Sequence, residues 1–258
     1  MNYFIEGLQG SGKSTLVEKL SKKYPACTVF HEGDYSPVEL AWCARMTKDK
    51  YAEILKKYID IRSTIEEKSH EEGDYMIVCY TKIKTDIPEF YKDLEQYEIY
   101  NGRLVFDEFK RCIFDRYKNW NGDNMIFECS LFQNIVEDMM LFRNAPDDEI
   151  LEFYREIREA LEKKEYHILY LKTRDIAANL QVIRRERSDE KGNELWFPMM
   201  LGFFDNCPAS VAKGLSGEKA LMDHFAHRQE LEIRICREVF PDRYTILNSK
   251  EYRDGDLI

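Results

Sequence analysis

The residues Gly7-Leu-Gln-Gly10-Ser11-Gly12-Lys13-Ser14, followed by Thr15, fit the pattern G-x-x-x-x-G-K-[ST]. Glycines at this spacing let successive backbone N–H groups turn inward on a polyphosphate, and the N-terminus of a following helix adds partial positive charge. In such a loop Lys13 reaches the β- and γ-phosphates and the Ser14 hydroxyl ligates Mg²⁺. Gly7, Gly10, Ser11, Gly12, Lys13, Ser14 and Thr15 are therefore the expected nucleotide contacts, with a nucleoside triphosphate and Mg²⁺ as the expected bound species.

Other candidates are spread along the chain. Glu32 and Asp34, in Phe30-His-Glu-Gly-Asp, leave the carboxyl end of an expected strand, where α/β folds bind ligands. Either carboxylate could take the proton of an attacking hydroxyl, although His-Glu-Gly-Asp is also ordinary turn composition. Glu128 ends an apolar strand and would organise Mg²⁺ through its water shell. Arg184 and Arg187, at i and i+3, can converge on one anion. The plain alternative is a solvated face partnered by Glu186, Asp189 and Glu190. Tyr100, Asn101 and Arg103 surround Gly102 and could bind a base or an anion, or could simply end a helix in an Asn-Gly turn. Trp42 and Tyr80 could stack on a substrate or pack in a core. His224 and His227 lack a third metal ligand at convincing spacing and are expected to lie on a helix surface or make local hydrogen bonds.

These residues need a scaffold. A short apolar run at 3–6 leads into the glycine loop, and Leu16, Val17 and Leu20 give the next segment a helical face. Strands are expected at Cys27–Phe30, Tyr75–Ile83, Met125–Glu128, His167–Leu171 and Tyr244–Leu247. Helical spacing marks 46–70, 106–117, 147–162 and 175–187, and Asp223 is placed to cap a last helix ending near Pro241. Residues 188–222, with three glycines between Gly202 and Gly217 and prolines at 198 and 208, read as irregular. Strands alternating with helices predict an α/β P-loop fold: three layers around a mainly parallel sheet in one domain over 1–258, with an acceptor-side helical insertion over 35–120 and a lid with an irregular extension over 184–222.

The chain has 258 residues, 38 Lys+Arg against 48 Asp+Glu, and a net charge of −10. An acidic chain is not expected to bind nucleic acid broadly. Residues 147–162 carry seven acidic and two basic side chains, and 86–98 carry five and one. Most of the charge therefore lies in two segments away from the glycine loop, leaving room for one bound triphosphate. No apolar run approaches the ~20 residues of a membrane helix. The seven cysteines have no C-x-x-C spacing, and with no secretory start they read as reduced thiols in a cytoplasmic protein.

The glycine loop alone does not distinguish kinases from GTPases or ATPases. The chain has no N-K-x-D for guanine and no D-x-x-G after a third strand, and Asp107-Glu108 sits in helical surroundings. Phe4-Ile-Glu6-Gly7-x-x-Gly10-x-Gly12-Lys13-Ser14-Thr15 resembles the opening of deoxyribonucleoside and thymidylate kinases. Further pieces follow in the same order: Glu32 and Asp34 after the second strand; Pro37-Val38 with Trp42, loosely like Glu-Pro-Val…Trp; Glu128-Cys129-Ser130, like Glu-Arg-Ser; Gln133, near a glutamine of thymidylate kinases; and Arg185-Glu-Arg187-Ser-Asp189-Glu190, like the Arg-x-Arg-x-Glu-Glu lid. Cys129 stands where the family has arginine. The resemblance implies an ATP- and Mg²⁺-dependent kinase acting on a small hydroxyl or phosphate acceptor such as a nucleoside or nucleotide, and it allows a homodimer. The rival reading is a nucleotide switch that regulates a protein partner.

Overall fold

The computed structural model describes residues 1–253 and Gly255. The chain forms two compact units, one built from Met1–Val29 and the chain from Gly122 onward, the other from Phe30–Asn121. The first unit opens with β1 (Asn2–Gly7), α1 (Lys13–Lys23) and β2 (Thr28–Phe30), whose last residue begins the second unit. The second unit holds β3 (Ala44–Thr47), α2 (Lys48–Lys57), α3 (Arg62–Glu67), β4 (Ser69–Glu72), β5 (Tyr75–Val78), α4 (Pro88–Glu95) and α5 (Phe106–Asn119). The chain then returns to the first unit through β6 (Met125–Glu128), α6 (Gln133–Glu137), α7 (Asp147–Ala160), β7 (Tyr166–Lys172), α8 (Ile176–Glu186), α9 (Trp196–Asn206), α10 (Pro208–Lys213), α11 (Gly217–Val239) and β8 (Tyr244–Asn248).

In the first unit the sheet order is β2-β6-β1-β7-β8, and β1 pairs in parallel with both β6 and β7, as β7 does with β8. Every residue of β1 is buried, as expected of a strand covered on both faces. Phe4 stacks on Phe127 of β6 with ring centroids 5.0 Å apart. Helix α1 buries Leu16, Val17 and Leu20, and α7 buries Ile150, Phe153, Tyr154 and Ile157. The first turn of α7 carries Asp147, Asp148 and Glu149, where negative charge favours the helix dipole. The second strand of the chain does not adjoin the first, because β6 lies between β1 and β2.

The second unit is built around a separate antiparallel sheet of order β3-β5-β4. Two sequence expectations change here. The run 75–83 is a strand only to Val78; Tyr80–Lys82 form a 3-10 turn. The stretch 46–70 is not helical throughout, since its ends enter β3 and β4. Phe90, Leu94, Ile54 and Ile65 pack with Val78 in this unit's core.

Residues 188–222 also differ from the irregular segment expected, for they contain α9, α10 and the start of α11. The supposed helix breakers sit where helices tolerate them. Pro198 lies in the first turn of α9 and Pro208 begins α10, positions whose amides lack an intrahelical acceptor. Gly214 ends α10 at φ 64. Asp223 therefore does not cap α11 but lies inside it, paired with Lys219 at 2.7 Å.

Helix α11 is tied to the sheet by buried charge. Arg228, 0% exposed, meets Glu137 of α6 and, at 3.0 Å, Glu232. His224 Nε2 lies 2.8 Å from Glu137, and the Tyr170 hydroxyl donates to Glu232 at 2.7 Å. His227 lies 2.9 Å from Asp147. Both histidines thus pair with carboxylates that are 87 and 80 residues away in the sequence. Burial pushes Glu137 upward, but His224 and Arg228 outweigh it and hold the carboxyl down at about 2. A carboxyl depressed in the fold stabilises it above the ordinary 4.5 and loses that contribution as pH falls towards 2. Glu137→Gln should cost roughly 1–3 kcal/mol in denaturant unfolding by removing one of the two carboxylates that meet buried Arg228, and it should flatten the loss of stability between pH 4.5 and 2. An equally steep acid limb in the variant would refute this assignment.

Candidate active site

The phosphate loop joins β1 to α1. Gly7 and Gly10 have φ of 139° and 71°, and a Cβ at Gly10 would lie 2.2 Å from Ile183 Cγ1 of α8. Only glycine fits there, so backbone conformation and close helix packing both demand it. Lys13 is buried, and its Nζ donates to Gly7 O at 2.7 Å, Leu8 O at 2.9 Å and Gln133 Oε1 at 3.1 Å. The exposed Ser14 donates its hydroxyl to Glu128 Oε1 at 2.5 Å. The expected Ser14 and Glu128 therefore meet, with Lys13 next to Ser14 in the chain and joined to Gln133.

Three tethers of this loop escape sequence reasoning. Asn179 Nδ2 of α8 donates to Gln9 O at 2.7 Å, Ser249 Oγ donates to Ser11 O at 2.7 Å, and Lys250 Nζ donates to Asn179 Oδ1 at 3.4 Å. Glu6, 0% exposed, accepts from Leu131 N at 2.7 Å. Burial raises its carboxyl from 4.5 to about 8 despite that donation. The Glu-Gly pair leading into the loop is the one sequence signal that singles out Glu6.

Arg184 and Arg187 do not share a partner. Arg184 forms ion pairs with Glu194 and Glu218, at 2.9 and 3.1 Å, and lies over the Phe197 ring. Arg187 is exposed and lies over Trp196, 5.0 Å from its centroid. Two separate rings fix the two guanidinium groups, which is why the i, i+3 spacing does not bring them together.

In the second unit Asp34 accepts from His31 N at 2.8 Å and pairs with Lys82 at 3.0 Å. Trp42, 45% exposed and at φ 60, donates its indole N–H to Glu32 Oε1 at 2.9 Å. Trp42 thus accompanies a candidate base, whereas Tyr80 is buried and donates to Glu98. Tyr100 is also buried, its hydroxyl donating to Glu39 at 2.7 Å, and burial raises it well above 10.0. Asn101, at φ 60, donates to Glu98 at 3.2 Å, and exposed Arg103 reaches Glu95 at 3.4 Å. Lys82 has no pattern around it that predicts its pairing with Asp34.

Residues 3–197 match the family model described as deoxynucleoside kinase. The chain belongs to the deoxynucleoside kinase family. It is accordingly an ATP-dependent kinase of the P-loop α/β fold, and family membership gives no support to the reading as a protein-regulating switch. No curated protein matches the chain. Among solved structures, deoxyadenosine kinase from M. mycoides with bound dATP matches at 13% identity and a TM-score of 0.36, over 99% of this chain and 95% of that one. No helix among the described residues is long and apolar enough to cross a membrane.

Lys13→Ala removes the ammonium from the phosphate loop. ATP should then no longer raise the melting temperature; equal stabilisation of variant and wild type would show that the loop does not hold the nucleotide.

Proposed function

We propose that this family member transfers the γ-phosphoryl group of ATP to a hydroxyl of a small acceptor of the deoxynucleoside class. The observation that carries this reading is the bond of Ser14 to Glu128, next to Lys13, at the phosphate loop. Phosphoryl transfer asks little covalent work of a protein; it asks for positioned charge. Lys13 would neutralise the transferring group, with an arginine of the proposed lid, Arg187, adding to it. Arg184 would anchor that lid through Glu194 and Glu218. Lys250, tethered through Asn179 beside the loop, is a further donor-side candidate.

The oxygen donors Ser14 Oγ and Glu128 Oε1 suit Mg²⁺, a hard cation that retains several waters. When bound, it would supply charge neutralisation on the phosphates. On the acceptor side, Asp34 spends its oxygens on the His31 amide and Lys82, which makes it the clamp of its turn. Glu32 is then the proposed general base, oriented by the Trp42 indole, while Tyr100, Asn101 and Arg103 would shape the acceptor region. The proposed setting is the cytoplasm, in keeping with free cysteines. No nucleic-acid or membrane partner is invoked, and a homodimer fits the reading.

ATP turnover measured against a panel of deoxynucleosides, nucleotides and other alcohols tests the proposal. At least one deoxynucleoside should yield its monophosphate, and Glu32→Gln should lower kcat by roughly 10²–10⁴-fold, more than Asp34→Asn. Acceptor-independent hydrolysis, untouched by either substitution, would overturn it.

A further inference from the structure

Two thiols in the second unit lie in direct contact. Cys43 and Cys79 are buried, at 0% and 4% exposure, with their sulfurs 3.7 Å apart. Cys43 precedes β3 and Cys79 follows β5. Since Ala44 faces Val78 in antiparallel register, Cys43 and Cys79 are the next facing pair. The Arg45 amide donates to Tyr97 O at 2.8 Å and the Cys79 amide to Lys68 O at 2.9 Å, so both point away from the opposite strand. The 43/79 rung is thus a non-hydrogen-bonded one, where facing Cα atoms approach to ~4.5 Å. That separation lies within the range a disulfide spans, and closing the sulfurs to about 2.05 Å asks for little backbone movement.

The pair also touches the turn that carries both candidate bases. The Cys43 thiol contacts Gly33 O and Asp34 O at 3.7 and 3.8 Å. Its preceding residue, Trp42, holds Glu32, and Thr81 Oγ1 donates to Trp42 O at 3.4 Å. Cys79 leads directly into the turn whose Lys82 holds Asp34.

We propose that Cys43 and Cys79 form a reversible intramolecular disulfide on exposure to a hydroperoxide, and that this bond shifts the Glu32–Asp34 turn and slows acceptor phosphorylation. The chemistry is balanced. The Cys79 thiol gives up its proton, its thiolate attacks one oxygen of hydrogen peroxide and breaks O–O, and the departing hydroxide takes that proton, leaving a sulfenic acid and water. The Cys43 sulfur then attacks the Cys79 sulfur and expels its hydroxyl as a second water, which takes the Cys43 proton. Two thiols are oxidised by two electrons and one peroxide is reduced. The Cys43 hydrogen bond, assisted by the neighbouring Lys82, draws Cys79 below the ordinary thiol value of 9.0, which favours it as the attacking sulfur. Once formed, the bond leaves Cys43 without a thiol hydrogen and draws its sulfur toward Cys79, away from contact with the Gly33 and Asp34 carbonyls.

The effect on catalysis rests on the acceptor role proposed for Glu32, whereas the disulfide itself does not. The whole protein is treated with hydrogen peroxide, free thiols are alkylated, and the digest is mapped without reductant. A peptide pair joining Cys43 to Cys79, two hydrogens lighter than its reduced parts and released by dithiothreitol, is expected. Phosphoryl transfer should fall roughly tenfold or more and return on reduction, while the ATP-induced melting shift stays unchanged. Cys79→Ser should show neither the cross-link nor the loss. Alkylation of both cysteines after peroxide, or linkage to another cysteine, overturns the modification site. A cross-link without a change in rate overturns its coupling to the turn. The mapping reads the disulfide in wild-type protein whether or not an offered acceptor is phosphorylated, so the two readings fail separately.

Discussion

The register between β1 and β6 sets the geometry on which the nucleotide site depends. Parallel pairing places Ile5 opposite Glu128, so the two strands run out side by side, one into the glycine loop and the other into the carboxylate that receives Ser14. A slip of one residue would turn Glu128 to the other face of the sheet. The register is guarded by side chains that cannot be moved cheaply. Phe4 and Phe127 stack in the core at adjoining positions, and the Cys129 amide donates to Ile5 O at 3.1 Å just beyond the last strand pair. Packing thus positions the chemistry.

Cys129 shows how this constraint shapes local sequence. It takes φ 56 and is buried, in the left-handed region that non-glycine residues adopt only under tertiary pressure. The chain needs that bend to turn from β6 into α6 and bring Gln133 back to Lys13. In the resemblance to deoxyribonucleoside kinases this is the place of an arginine. Here a small thiol fills a buried position.

The phosphate loop and most strands of its sheet were legible because each is written locally: an apolar run, a turn of glycines, an amphipathic helix. The contacts that complete the site are not. Lys13 and Gln133 lie 120 residues apart in sequence, and Ser249 and Ser11 lie 238 apart, with no local pattern joining them. Strand β4 reads Ser-His-Glu-Glu and is a strand because β5 pairs with it, not because of propensity. Helices α9 and α10 were obscured by prolines and glycines that mark helix boundaries as readily as loops. Arginines 184 and 187 obeyed their helical spacing, yet nearby rings decided where each guanidinium lies.

Gln133 and Glu137 stand one helical turn apart on α6. The first receives Lys13 from the phosphate loop, and the second receives Arg228 and His224 from α11. A strut of one turn has no slack to release one end while keeping the other. Loosening of α11, whose contacts lie far along the chain from the glycines, would therefore also pull Gln133 away from Lys13 and leave the ammonium to the Gly7 and Leu8 carbonyls. One of the three bonds that seat the lysine in its loop thus hangs on the docking of the last helix.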